Sequence, residues 1–271
     1  RFHEQEHPVA IQLGGSEPEL MAECARMAAY AGYDEVNVNV GCPSPRVQRG
    51  AFGACLMKEP QLVADIVRRM TVATSVPVTV KCRLGVDDVD DQRSLEQFVG
   101  AVADAGCRTL YLHARKALLT GLSPAQNRQI PPLQYDRAYR IKEAFPELTV
   151  ILNGGISDCR AASEHLDHLD GIMIGRQAYQ QPLFMNELAV ELLGEEATTS
   201  FDVMRGYMAY MDEELSAGTR LADMTRHCLG LFAGMPGARH FRRLLSDHKR
   251  LAANDLSLVD EALGQVVMRA A

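Results

Sequence analysis

"VNVNVGCP", Val36–Pro43, is the stretch on which the fold turns. A β-branched run gives way at once to Gly41, Cys42 and Pro43, so a strand ends where polar chemistry begins. The loop that follows, as far as Met57, is studded with glycine and carries Arg46, Gln48 and Arg49. The same pattern recurs outward along the chain. Runs at Val9–Leu13, Val78–Cys82, Thr109–Leu112, Val150–Leu152 and Gly171–Ile174 end in "QLGG", "KCRLG", "LHARK", "LNGG" and "IGR". Helical patterns such as Glu17–Ala31 and Gln61–Ala73 lie between them, and Pro60 stands where a helix can start.

Continuous apolar strands alternating with helices predict a parallel sheet covered on both faces. Polar residues at the C-terminal ends of many strands in series are the pattern of an α/β (β/α)8 TIM barrel. A doubly wound sheet gathers its ligand at one switch point instead. Six strand units are present rather than eight. After Tyr179 the strands stop, and Phe184–Leu193, Phe201–Ser216, Asp223–Phe232, Arg239–Asp247 and Leu258–Met268 read as helices. The expected organisation is a barrel domain over residues 1–180 and a helical domain over 181–271.

Composition narrows the function. The 271 residues are 47% hydrophobic and 23% charged, as in an ordinary soluble domain. No apolar run approaches the roughly 18 residues of a membrane span, and no signal peptide is visible. The seven cysteines are scattered and never spaced as CxxC, which speaks against a disulfide scaffold or a zinc site and for the reduced thiols of a cytoplasm. His165 and His168 form an HxxH with no third ligand in view, so an exposed helix is expected and no metal. No GxGxxG is present for a nicotinamide to dock on. With a net charge of -7, a nucleic-acid partner would require a local basic patch. Thr219 to Arg250 supplies one, with seven basic residues against two acidic, and Arg239, Arg242 and Arg243 share a helical face there.

The strand ends supply the candidate chemistry. Asn153, Gly154 and Gly155, then Gly175 and Arg176, close consecutive strands. Glycines admit a phosphate to backbone N–H groups and Arg176 adds a charged fork, although a glycine pair can equally be a tight turn. Lys81 and Arg83 flank Cys82 and share a face by alternation; His113 and Arg115 repeat that spacing. With Gln12 and Asn39 on neighbouring strand ends, these side chains predict a polar cofactor edge. Cys42 differs from the other thiols in following a strand and being pinned by Pro43. A thiol of ordinary pKa is mostly protonated at neutral pH, so it can serve as a proton donor as readily as a nucleophile.

Taken together, "HPVAIQLGGS", "YDEVNVNVGCPSPRVQRGAFGACLM", "VTVKCRLGVDD", "LHARKALLTGLSPAQNRQIPPL", "LNGGI" and "GIMIGRQAY" closely resemble the tRNA-dihydrouridine synthases of the bacterial A type. The resemblance continues through "TRHCLGLFAGMPGARHFRRLLS" in the helical part. It implies an FMN-bound barrel, NADPH as reductant, and a monomer when full length. It also implies hydride transfer to carbon 6 and protonation of carbon 5 of uridines 20 and 20a in the D-loop of tRNA. By motif, Cys42 is the proton donor and Asn39 lies beside the uridine. Gln12, Lys81 and His113 hold the flavin ring and ribityl chain, and Asn153, Gly154, Gly155, Gly175 and Arg176 its phosphate. Arg83, Arg115, Arg128, Arg239 and Arg242 fall to the RNA. The family's opening "APM" strand and the βα unit after it have no counterpart here, so the six strands correspond to the family's third to eighth. Two alternatives are an FMN barrel that reduces a free pyrimidine and an RNA-binding relative without activity.

Overall fold

The computed structural model describes residues 2–266. The chain divides into two compact units, Arg1–Ile156 with Ala161–Met173, and Ser157–Arg160 with Ile174–Ala271.

The first unit is built on six parallel strands: β1 (Ala10–Leu13), β2 (Glu35–Val40), β3 (Val78–Arg83), β4 (Thr109–His113), β5 (Thr149–Asn153) and β6 (Gly171–Met173). Their order in the sheet is their order in the chain, as in a (β/α)8 barrel and unlike a sheet that reverses at a switch point. Helices Pro18–Tyr30, Pro60–Ala73, Gln92–Asp104 and Tyr135–Ala144 lie in the first four of the five crossovers, and Cys159–Leu166 in the last. Proline opens the first two, with no N–H to lose at that position. Asp91 caps the third by accepting from the Ser94 N–H at 2.8 Å.

The strands are not apolar on both faces, as their composition suggested. Val36, Val38 and Val40, Val80 and Cys82, Leu110 and Leu112, and Val150 and Leu152 are buried on one face. The helices pack there, with Val63, Ile66, Val67 and Met70 of helix Pro60–Ala73 also buried. Each such aliphatic side chain contributes about 1.5–3 kcal/mol relative to exposure. The intervening residues, Glu35, Asn37, Asn39, Thr79, Lys81, Arg83, Tyr111, His113 and Asn153, form an opposite face that is largely polar, interrupted by apolar Ile151 and Met173 on β5 and β6.

The second unit is helical, with Leu183–Leu193, Ser200–Ser216, Leu221–Thr225, Ala238–Leu244, His248–Leu251 and Ser257–Leu263. Its own core gathers Met204, Met211, Leu221, Phe232, Phe241 and Val259. Phe232 and Phe241 meet edge to face at 4.8 Å. The helix expected over Asp223–Phe232 stops at Thr225. Glycines at 230, 234 and 237 lower helix propensity beyond it, and a side chain at Gly230 would overlap the Gln180 carbonyl, so turns carry Leu231 and Phe232 inward. Val267 and Met268, expected in the last helix, lie outside the described residues.

The HxxH segment also departs from expectation. His165 is buried, hydrogen-bonded to the Tyr139 hydroxyl at 2.7 Å and tilted against the Tyr135 ring at 4.3 Å, while His168 stacks on Tyr139. Helix Cys159–Leu166 turns that histidine inward because its apolar stripe includes it. Among the described residues no three His, Cys, Asp or Glu side chains converge as metal ligands, and no helix is long and apolar enough to cross a membrane.

Candidate active site

At the C-terminal end of β2, Asn39 reaches over the turn that follows. Its Oδ1 accepts from the backbone N–H groups of Gly41 and Cys42, both at 3.1 Å. The Cys42 carbonyl accepts from Ala54 N–H at 3.0 Å, and Pro43 is buried. The thiol therefore sits half-buried on a turn fixed from both sides, as an Asx side chain is suited to do. Cys82, by contrast, lies wholly buried on the helix-facing side, where desolvation pushes its pKa up to about 12. It is an inert core thiol.

On the polar face Lys81 donates to Asn153 Oδ1 at 3.0 Å, and Asn153 Nδ2 donates to the Met173 carbonyl at 2.9 Å. Lys81 has no carboxylate partner among the described residues. Burial, and after it the charge of Arg83, pull its pKa down to about 8. A half-buried cation without a counter-ion is a place for an electron-rich or anionic ligand. His113 is buried at the end of β4, and a Cβ at Gly154 would come within 3.0 Å of its Nε2. Gly154 and Gly155 both have positive φ, +111° and +80°, and a side chain at 155 would meet Tyr135 and Leu133. Only glycine keeps this turn and the space over the imidazole. Tyr135 locks it by donating to the Gly154 carbonyl at 3.0 Å.

Arg83 and Arg115, assigned to RNA by motif, both donate to backbone carbonyls of the loops around the site. Arg83 is 5% exposed and donates to the carbonyls of Gly41 (3.1 Å), Lys116 (3.4 Å) and Asn127 (3.0 Å). Burial first, and the charge of Arg128 next, lower its pKa to about 10. It clamps the Cys42 turn to the loop after β4. Arg115 donates to the carbonyls of Gln129 and Pro131 in that same loop. Long guanidinium groups reach backbone that strand alternation alone cannot foresee.

Gln48, noted in the loop but given no role, and Asn127, given none either, complete this frame. Gln48 Nε2 bridges the carbonyls of Pro43 and Leu119, each at 2.8 Å. Asn127, fully buried, accepts from Leu118 N–H at 2.8 Å and donates to the carbonyls of Leu118, Leu122 and Ser123. Arg128 follows it directly and is exposed. The signal for Asn127 was available: an asparagine inside a long loop, where its amide can replace missing backbone partners.

Residues 1–267 match the family model described as dihydrouridine synthase. The chain belongs to the dihydrouridine synthase family. It is 50% identical over 268 residues to the tRNA-dihydrouridine(20/20a) synthase of Vibrio cholerae serotype O1, covering 98% of this chain and 82% of that one. With the protein of the same name from Escherichia coli K12 it is 50% identical over 265 residues, 97% of this chain and 77% of that one. Among solved structures, an aldolase named QR15 aligns with 60% of this chain and 66% of its own at 17% identity and a TM-score of 0.43, too distant to carry an argument. The family membership bears out the resemblance drawn from the six motifs, and the sequential parallel sheet is the arrangement expected of this TIM-barrel family.

The remaining expected site residues of this dihydrouridine synthase lie as follows. Gln12 sits on β1, hydrogen-bonded through its side chain to Asn37 at 2.7 Å. Gly175 and Arg176 are exposed, at the cap and first residue of helix Arg176–Gln180, and belong to the second unit. In that unit Arg239, His240, Arg242, Arg243 and Ser246 line an open cleft of about 630 Å³. Of their neighbours in the basic segment, Arg220 pairs with Asp223 at 2.8 Å and Arg250 with Glu261. The positive charge of the segment thus falls mainly on helix Ala238–Leu244.

Proposed function

We propose that this chain reduces uridine to 5,6-dihydrouridine at positions 20 and 20a in the D-loop of tRNA, using NADPH through FMN, with Cys42 as proton donor. The observation that carries the reading is the Asn39-shaped turn. It fixes a thiol at the end of β2, in a unit whose adjoining strand end holds a counter-ion-free lysine. The names of the relatives supply the positions.

The donor set suits a flavin. Lys81 offers an ammonium to the electron-rich end of a ring, Gln12 an amide and His113 an imidazole. In the first unit, Asn153, Gly154 and Gly155 are the proposed holders of the phosphate, the paired glycines leaving backbone accessible at their turn. A bound FMN, reduced by NADPH, would supply hydride chemistry at carbon 6 of the pyrimidine, with Lys81, Gln12 and His113 holding its ring. Cys42 then gives its S–H proton to carbon 5, and the thiolate recovers a proton from water. Arg83 and Gln48 hold the turn so that the thiol keeps one approach.

The tRNA reading is favoured over a free pyrimidine by the exposed arginines. Arg239, Arg242 and Arg243 line a cleft far larger than one phosphate needs, and Arg128 stands exposed on a tightly braced loop. The test is incubation with FMN, NADPH and an unmodified tRNA transcript, followed by mapping of dihydrouridine. Product at 20 and 20a supports the proposal; reduction of free uracil with none in RNA would replace it.

A further inference from the structure

Five side chains on the polar face of β1 to β4 form one chain of hydrogen bonds. Gln12 Nε2 donates to Asn37 Oδ1 at 2.7 Å, and Asn37 Nδ2 donates to Thr79 Oγ1 at 2.8 Å. The Thr79 hydroxyl donates to Glu35 Oε1 at 2.6 Å, and the Tyr111 hydroxyl to Glu35 Oε2 at 3.1 Å. Strand register sets Gln12 beside Asn37 and Asn37 beside Thr79, and the last two are buried.

The direction of this chain follows from its anchor. A carboxylate only accepts, so the single hydroxyl proton of Thr79 is committed to Glu35. Thr79 Oγ1 can then only accept from Asn37, which turns the NH2 of that amide toward Thr79 and its oxygen toward Gln12. Gln12 must present its own NH2 to Asn37. Its Oε1 is left over as an acceptor and has no partner among the described residues. Tyr111 stays a donor, since burial and then the charge of Glu35 push its phenol to about 12. The two orientations of an isolated glutamine amide are nearly interchangeable. Here one of them is selected from two side chains away.

We propose that Glu35, acting through Thr79 and Asn37, is a positioning residue that holds Gln12 as a hydrogen-bond acceptor and so selects a ring that offers an N–H at that point, the imide edge of a flavin. The inference rests on the flavin reading above. Uracil carries the same imide edge, so the two sources are separated by measuring flavin binding without RNA. Replacing Glu35 with Gln adds a donor facing Thr79. Thr79 is then free to donate to Asn37 Oδ1, Asn37 to donate to Gln12 Oε1, and Gln12 to present NH2, which repels an N–H.

FMN and its N3-methyl analogue are titrated into flavin-free protein, with flavin fluorescence as the readout. Wild type should prefer FMN by at least about tenfold, because the methyl leaves the Gln12 oxygen without a donor. Glu35→Gln and Thr79→Val should each reduce that preference to about threefold or less, while Thr79→Ser, which keeps the hydroxyl, should retain it. Steric exclusion of the methyl group is common to all four proteins, so the change in ratio reads amide polarity. An unchanged ratio in both Glu35→Gln and Thr79→Val, or no preference in wild type, overturns the proposal. So does a preference that shifts instead between RNA carrying uridine and RNA carrying N3-methyluridine, which would assign the Gln12 oxygen to the substrate. A wild type that binds neither flavin rejects the flavin reading itself, and this inference with it.

Discussion

One side-chain oxygen of Asn39 accepts the backbone N–H of Cys42 at 3.1 Å and, at the same distance, that of Gly41. The residue expected beside the substrate is thus also the residue that shapes the turn carrying Cys42. Cys42→Ala should lower dihydrouridine formation by about 10²–10⁴-fold while flavin reduction by NADPH continues, since general acid catalysis is worth that much. Asn39→Ala should lower the same rate with the thiol still present. Single-turnover oxidation of the reduced enzyme by tRNA separates these effects, and undiminished turnover in Cys42→Ala removes that residue from the mechanism.

Arg83 gives a sharper test of the structure against the motif reading. Arg83→Ala leaves the Gly41, Lys116 and Asn127 carbonyls without their donor, and about 1–3 kcal/mol is lost for a buried group so abandoned. The variant should unfold at lower urea and turn over slowly, yet keep the wild-type salt dependence of tRNA binding. A flattened salt slope with unchanged stability would return Arg83 to the RNA.

Lys81 predicts a pH dependence. Its folded-state pKa is depressed to about 8, below the ordinary lysine value, so between those two values the unfolded chain binds the extra proton. Stability from this group therefore rises with pH across that window, and the desolvation penalty is full below about 8. Lys81→Met should be more stable than wild type in flavin-free form at pH 7, with the difference fading toward pH 10.5. The same substitution should weaken FMN binding. A constant difference across the range would place the ammonium in solvent.

For the second unit, Arg239→Ala with Arg242→Ala should weaken tRNA binding and reduce the slope of log affinity against log salt by about 0.7–0.9 per lost phosphate contact. NADPH oxidation should be unaffected. Wild-type affinity and slope in the double variant would give the cleft at helix Ala238–Leu244 another purpose.

At the Gly154–Gly155 turn, Gly155→Ala forces a Cβ onto the Tyr135 hydroxyl at a φ of +80°. A strained backbone of this kind costs about 1–3 kcal/mol, before any clash is relieved. Urea unfolding should show the loss, and flavin retention should fall with it.

The alternation of strands and helices was legible because each run of β-branched residues ended in its own polar cluster. The predicted Val78–Cys82 became Val78–Arg83, and Thr109–Leu112 became Thr109–His113. The polar interior was not read from the sequence. Asn37, Thr79 and Tyr111 sit mid-strand, and attention to strand ends treats them as part of an apolar run, although their period of two was visible in "VNVNV" and "TLYLH". Arg83 and Arg115 were placed on the correct strand ends, but a guanidinium on three methylenes can reach many acceptors, and only the folded loops decide which. His165 was missed for a related reason: its neighbours Tyr135 and Tyr139 come from a different helix.

Asn127 has a consequence for the speed of encounter. The segment between β4 and helix Tyr135–Ala144 is long and nearly without regular structure, yet one buried amide ties Leu118, Leu122 and Ser123 to itself while Arg83 holds its carbonyl. A floppy segment of that length would have to surrender backbone freedom, on the order of 1–2 kcal/mol per residue, each time a ligand arrived. With these bonds already made, a ligand docking at Arg128 would meet a pre-formed surface, and its association would be set by diffusion and charge rather than by loop rearrangement.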